Sequence, residues 1–194
     1  MVGAGHARGL DDTLLLSGTG IEPADLADEE LRIWPEQEFA VARNLIRAVG
    51  DRPGLGVETA AQASLGKAGL VGLAALASAT MRDVLNIAVR YQALVSVAAH
   101  YSLDESGDDE VALVADGSAI PSDLRGYFVE REVALIFVAG RALDVEIPAV
   151  RLELDLDADR AALVLQLPQT VGRHQHGAML AWASESITST FLPW

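Results

Sequence analysis

Gly66-Lys67-Ala68-Gly69-Leu70-Val71-Gly72-Leu73-Ala74, followed by Thr80-Met81-Arg82-Asp83-Val84-Leu85, is the stretch from which the architecture is read. The first segment is small and apolar. In the second, Thr80 and Asp83 have the Ser/Thr-x-x-Asp/Glu spacing whose side-chain oxygens satisfy the unpaired amides of a helix start. Behind that start Val84, Leu85, Ile87, Ala88, Tyr91, Leu94, Val95 and Ala98 recur at intervals of three and four, the pattern of one apolar stripe against a core. The spacing predicts a helix over 80–98. Next, His100–Glu105 and Glu110–Ala115 are extended runs around Ser106-Gly107-Asp108-Asp109, which predicts a hairpin. A second long helix is predicted over 121–143. Pro121 suits its first position, where a missing amide hydrogen costs nothing. Its charges come early, at Asp123, Arg125, Glu130, Arg131 and Glu132, and Val133–Ala139 is then apolar on every face. Such a run implies burial on several sides.

Upstream, residues 1–9 are glycine-rich and expected to be loose. Asp11–Ser17 reads as a short helix with acids at its favourable N-terminal end, and Pro23–Leu31 as a further turn. Pro35 opens a stronger helix with Phe39, Ala42, Leu45, Ile46 and Val49 inward and Gly50 as its stop. A smaller helix is expected around 57–64. Downstream, Val150–Leu156 alternates at period two, a half-buried strand. Asp157-Ala158-Asp159-Arg160 reads as a turn, Ala161–Leu167 as a returning strand, and 174–191 as weakly helical. Two hairpins among several helices give an α+β fold, a helical N-terminal half packed with a small antiparallel sheet in a single domain over 1–194.

Gly69-Leu70-Val71-Gly72, then Ser78-Ala79-Thr80-Met81-Arg82-Asp83-Val84-Leu85, then Val89-Arg90-Tyr91-Gln92-Ala93-Leu94 resembles the N-terminal arabinose-binding-type domain of AraC-family transcription regulators. Those domains read G-L-L-G, a spacer ending S-x-T, an E-A-L-like turn, then R-Y and a Leu. The likeness extends upstream to Gly20-Ile21-Glu22-Pro23 and downstream through Asp116 to 143. It implies an effector-sensing, dimerising domain that governs a DNA-binding domain. After the first late strand the family would place a helix and a strand of the F-G-x-x-V-x-F kind, for which the sequence shows no counterpart. The helix-turn-helix half it would place next has no counterpart either, so the expected reading is a regulatory domain without its DNA-binding partner.

Composition agrees with that division. The chain has 194 residues, 51% of them hydrophobic but only 5% aromatic, so its core rests on Ala, Leu and Val. Lys and Arg total 14 against 28 Asp and Glu, for a net charge of −14, the wrong sign for neutralising phosphates. Cysteine is absent, which excludes disulfides, zinc-thiolate sites and a thiol nucleophile. No apolar run reaches the ~20 residues of a membrane span. No secretory core follows Met1, so the expected location is cytoplasmic.

Candidate chemistry is sparse. Asp155-x-Asp157-x-Asp159 opens like a calcium loop, but Arg160 and Gln166 stand where Gly and Glu are needed, so it reads as a solvated turn. His174 and His176 lack a marked third ligand, and the acids at 104–110 read as a hairpin tip. Neither a Gly-x-Ser-x-Gly elbow nor a phosphate loop occurs. No cofactor or enzyme activity is expected. The ligand candidates are Tyr91 and His100, each an apolar body with a polar tip, with Phe128 and with Arg131, which could meet an anionic or lipophilic effector. The rival reading makes Tyr91 and Phe128 core, pairs Arg131 with a neighbouring Glu, and leaves His100 an ordinary strand residue. A homodimer with 121–143 at or near its interface is expected, with no direct DNA contact. The alternatives are a ligand-free interaction module, a truncated paralogue that pairs with full-length regulators, and a small enzyme of unknown type.

Overall fold

The computed structural model describes residues 1–28, 31–95, 98–106, 110–143, 150–164, 171–172 and 177–183. Short helices α1 (Val2–His6) and α2 (Asp12–Leu15) lead into α3 (Pro35–Val49) and α4 (Leu55–Ala60). Then come α5 (Gly69–Leu76), α6 (Met81–Arg90), strands β1 (His100–Asp104) and β2 (Glu110–Asp116), and α7 (Arg125–Ala142). Strand β3 (Arg151–Leu154), α8 (Ala158–Val164), β4 (Val171–Gly172) and β5 (Gly177–Ala183) follow. The fold is α+β, as expected.

Local signals produced the elements they marked. Pro35 is the first residue of α3, and Gly50, at φ 85°, ends it. Thr80 Oγ1 accepts from the Asp83 amide at 3.2 Å and caps α6. Helix α6 stops at Arg90, however, and Gln92–Leu94 is a single 3-10 turn, so the helix is shorter than 80–98. Gln92 explains the break. Its side-chain amide donates to the Tyr101 carbonyl at 2.9 Å and accepts from the Tyr101 amide at 2.8 Å, holding the chain against β1.

Four expectations are corrected. Residues 1–9 contain α1, with Ala4 and Gly5 buried; a Cβ at Gly5 would lie 2.5 Å from Leu15 Cδ1. Pro121 does not open α7. It begins a turn closed by the Leu124 amide on the Pro121 carbonyl at 2.9 Å, with Ile120 and Leu124 drawn into the core. The run after Asp157 is helical: the Asp157 carboxylate accepts from the Arg160 amide at 2.9 Å, and Ala161 N donates to the Asp157 carbonyl at 2.9 Å. Thus a helix, α8, stands after β3 where the sequence pattern showed a turn and a returning strand; positions 165–167 lie outside the described residues. Finally, 177–183 is a strand and not helical. Its successive residues Leu180 and Ala181 are both fully buried. A strand covered on both faces loses period-two alternation and reads as an apolar run.

The sheet order is β1-β2-β5-β3-β4, antiparallel throughout except that β4 runs parallel to β3. Register aligns Leu103 with Leu113, Leu113 with Leu180 and Leu180 with Leu152, one apolar row across four strands. That row packs on Val84 and Leu85 of α6 and on Val129 and Val133 of α7. On the far side of α7 a second cluster joins Phe39, Leu45, Leu55, Tyr127 and Phe128. Helix α7 is therefore the shared wall of both cores from Tyr127 to Ala134, whereas Leu135–Ala139 are only half-buried, short of the burial on several sides that the apolar run implied. Its Glu-Arg-Glu centre needs separate explanation.

Candidate functional site

Glu130, Arg131 and Glu132 are 0%, 6% and 1% exposed, three consecutive charges inside the protein. Successive side chains on a helix point about 100° apart, so the three face three neighbours. Glu130 faces α4 and α8. It accepts from the Gly54 and Gly56 amides at 3.0 and 2.9 Å and from Arg160 Nη1 at 3.1 Å. Arg160 also donates to Asp51. The close approach depends on Gly56, where a Cβ would lie 2.3 Å from the Tyr127 carbonyl oxygen and 2.6 Å from Glu130 Cβ.

Arg131 faces α3. Its Nη1 donates to Glu38 Oε1 at 2.8 Å, its Nε to Glu132 Oε1 at 3.1 Å, and its guanidinium lies 4.7 Å from the Phe128 ring centroid. Glu132 turns to the sheet, where Tyr101 Oη donates to its Oε2 at 2.6 Å. One unbroken set of contacts thus runs α3–α7–β1. Burial pushes the Glu132 carboxyl up, while Arg131 and the Tyr101 hydroxyl pull against it. Burial also raises Glu130, opposed by the two glycine amides and Arg160. For Arg131 burial acts to lower the pKa, and Glu132 and Glu38 overcome it and hold the guanidinium charged. Burial, then Glu132, raise the Tyr101 hydroxyl far above its ordinary value. Two carboxyl groups share one buried guanidinium, and the Met1 ammonium, lowered to about 6 by burial and by Arg131 and held up by Glu38, is a further charge at this node.

The candidate residues divide into two pairs. Phe128 and Arg131 are together and buried. Tyr91, 40% exposed at the end of α6 beneath the Arg90 guanidinium, and His100, exposed at the start of β1, flank the Gln92–Tyr101 clamp by one residue each. The pairs are joined in series: Gln92 holds Tyr101, whose hydroxyl holds Glu132, which holds Arg131. Sequence reasoning missed Glu38, Tyr101 and Arg160. Three adjacent charges at the head of an apolar helical run were the available signal. An open depression between α2 and α3, lined by Asp11, Leu14, Ser17, Asn44 and Arg47 among others, touches none of the candidates. His174 and His176 lie outside the described residues.

The fold has a counterpart among solved structures. It is similar to the crystal structure of the transcriptional regulator CdpR from Pseudomonas aeruginosa at a TM-score of 0.60, covering 97% of this chain and 55% of that one. At 14% identity the likeness establishes the fold alone. Residues 9–181 match the arabinose-binding domain of AraC transcription regulators, N-terminal, and the chain belongs to that family. Two uncharacterized HTH-type transcriptional regulators, from Mycobacterium bovis and Mycobacterium tuberculosis, are each 33% identical over 167 residues. The match covers 84% of this chain and 48% of each relative, so the chain spans about half the length of the curated relatives it matches. The family is one of regulators. No helix among the described residues is long and apolar enough to cross a membrane.

Proposed function

We propose that this chain is the effector-sensing and dimerising domain of an AraC-type regulator, acting in the cytoplasm on an attached or partner DNA-binding domain. The single observation that supports the sensing mechanism is the Glu38–Arg131–Glu132–Tyr101 node, which couples α3, α7 and the sheet. A small organic acid or lipophilic anion that replaces Glu38 on Arg131 frees α3 while keeping the cation paired. The effector thus selects one of two arrangements of α3 on α7, and the DNA-binding domain reads the difference. Phe128 walls the buried end of the site, and Tyr91 and His100 act on it at a distance, through the Gln92–Tyr101 clamp that holds Glu132. A thermal-shift screen of such acids tests this, since ligand at a hundredfold excess over Kd adds about 2.7 kcal/mol. At least one acid should raise the melting temperature of the native chain and fail with Arg131→Lys, which keeps the charge but not the planar fork. No hit, or hits unchanged by the substitution, refutes the reading.

The ligand-free interaction module is the second reading. It draws support from the solid packing around Phe128 and from exposed leucines on α5. An empty screen together with co-purification of a full-length regulator would favour it.

A further inference from the structure

Helix α5 is built inside out. Its small residues Gly72 and Ala75 are buried, whereas Leu70, Leu73 and Leu76 are 81%, 58% and 44% exposed. An amphipathic helix on a core shows the reverse order. The helix packs on α6 through its other face. Each exposed leucine forgoes part of the stabilisation that covering an apolar side chain brings.

Charge decides what covers this face. From Ala68 to Met81 no residue is charged, in a chain whose net charge is −14. Two copies of so acidic a chain repel each other wherever their ordinary surfaces meet, and this neutral stretch is where they approach without that cost. A basic partner, such as a DNA-binding domain, would instead gain most by meeting the acidic surface. A two-fold contact also needs a patch that complements itself, and uncharged leucines do so without opposite charges in register.

We infer that the outward face of α5, centred on Leu70 and Leu73, is the surface through which two copies of this chain pair. The inference rests on the dimerising part of the proposed function, and places the contact on α5, whose leucines stand further out than the half-buried Leu135–Ala139 of α7. Too few residues are exposed here for a permanent assembly, so the dimer is reversible and concentration-dependent.

Sedimentation equilibrium over the micromolar range should show reversible dimer for the native chain. Leu70→Glu with Leu73→Glu should raise the dissociation constant at least about 100-fold by placing four carboxylates in one small desolvated contact. The urea midpoint should hold, because both positions are exposed. Because the chain has no cysteine, Leu70→Cys, Leu73→Cys and Leu76→Cys each supply the sole thiol, and at least one should give an interchain disulfide on mild oxidation. Native monomer throughout overturns both dimerisation and this surface. Native dimer with an unweakened Glu variant, or with no crosslink from any of the three thiols, overturns the surface and leaves dimerisation standing.

Discussion

Replacing Arg131 by Met tests the central node most directly. The substitution keeps the unbranched stem over Phe128 and deletes the charge that Glu38 and Glu132 share. Removing one partner of a buried ion pair costs about 3–5 kcal/mol because the remaining charge has neither water nor partner. That is a large part of a domain's total stability, roughly 5–15 kcal/mol. With a urea dependence of about 2 kcal/mol per molar, the unfolding midpoint should fall by roughly 2 M. The deficit should also depend on pH. Burial holds the folded Glu132 carboxyl above its unfolded value of about 4.3. A raised folded pKa favours the folded state fully below the unfolded pKa, and that advantage is lost as pH rises through the folded pKa. Without Arg131 the folded pKa climbs further, so the variant's deficit is largest at pH 8 and shrinks towards pH 5. Exchanging Glu38, Arg131 and Glu132 together for apolar residues should recover part of the loss, since the ion pairs leave together while the buried Tyr101 hydroxyl loses its acceptor. A midpoint shift below about 0.5 M, or a deficit that grows on acidification, would refute the assignment of this node as a buried, mutually dependent charge set.

Two shorter predictions complete the set. Gly56→Ala should destabilise by at least the ~1–3 kcal/mol of ordinary overpacking, because the new methyl would meet the rigid backbone of α7 at Tyr127 and Arg131; a urea midpoint within error of the native one would refute that crossing. The isolated chain, at net charge −14, should show no binding to duplex DNA even at about 50 mM salt, and a sequence-dependent gel shift would contradict this.

What the sequence disclosed was local. Thr80 with Asp83, Pro35 with Gly50, and the alternating runs around the hairpin each act over a few residues, and the elements they mark are present. Signals failed where distant contacts outweighed them. Pro121 had the right chemistry for a helix start, yet burial of Ile120 and Leu124 placed it one turn early. Asp157 was read as a turn residue when it caps α8, a role settled by Arg160 reaching Glu130 thirty positions away. The site was the least legible part. Arg131 stood out between two acids at the head of an apolar run, but its partner Glu38 is 93 positions distant and looked like one more acid in a helix's first turn. Periodicity specifies which face turns inward, and says nothing about which inward charges meet.

The place of β5 in the sheet constrains how the chain can be made. Synthesis delivers β1, β2, α7 and β3 before Gly177–Ala183, yet that strand, the last among the described residues, is inserted between β2 and β3. Until it emerges, β2 and β3 have no shared neighbour, and the apolar row they present to α6 and α7 is split in two. The nascent chain must therefore hold a β1–β2 hairpin and an unpaired β3 edge apart, with a central gap open to any other extended segment. Late closure through non-local pairing is slow and leaves strand edges exposed meanwhile. A ribosome stalled before residue 177 would carry a formed helical half beside an unfinished sheet. In the cell, the rate at which residues 177–183 clear the exit tunnel sets how long that gap stays open to misassembly.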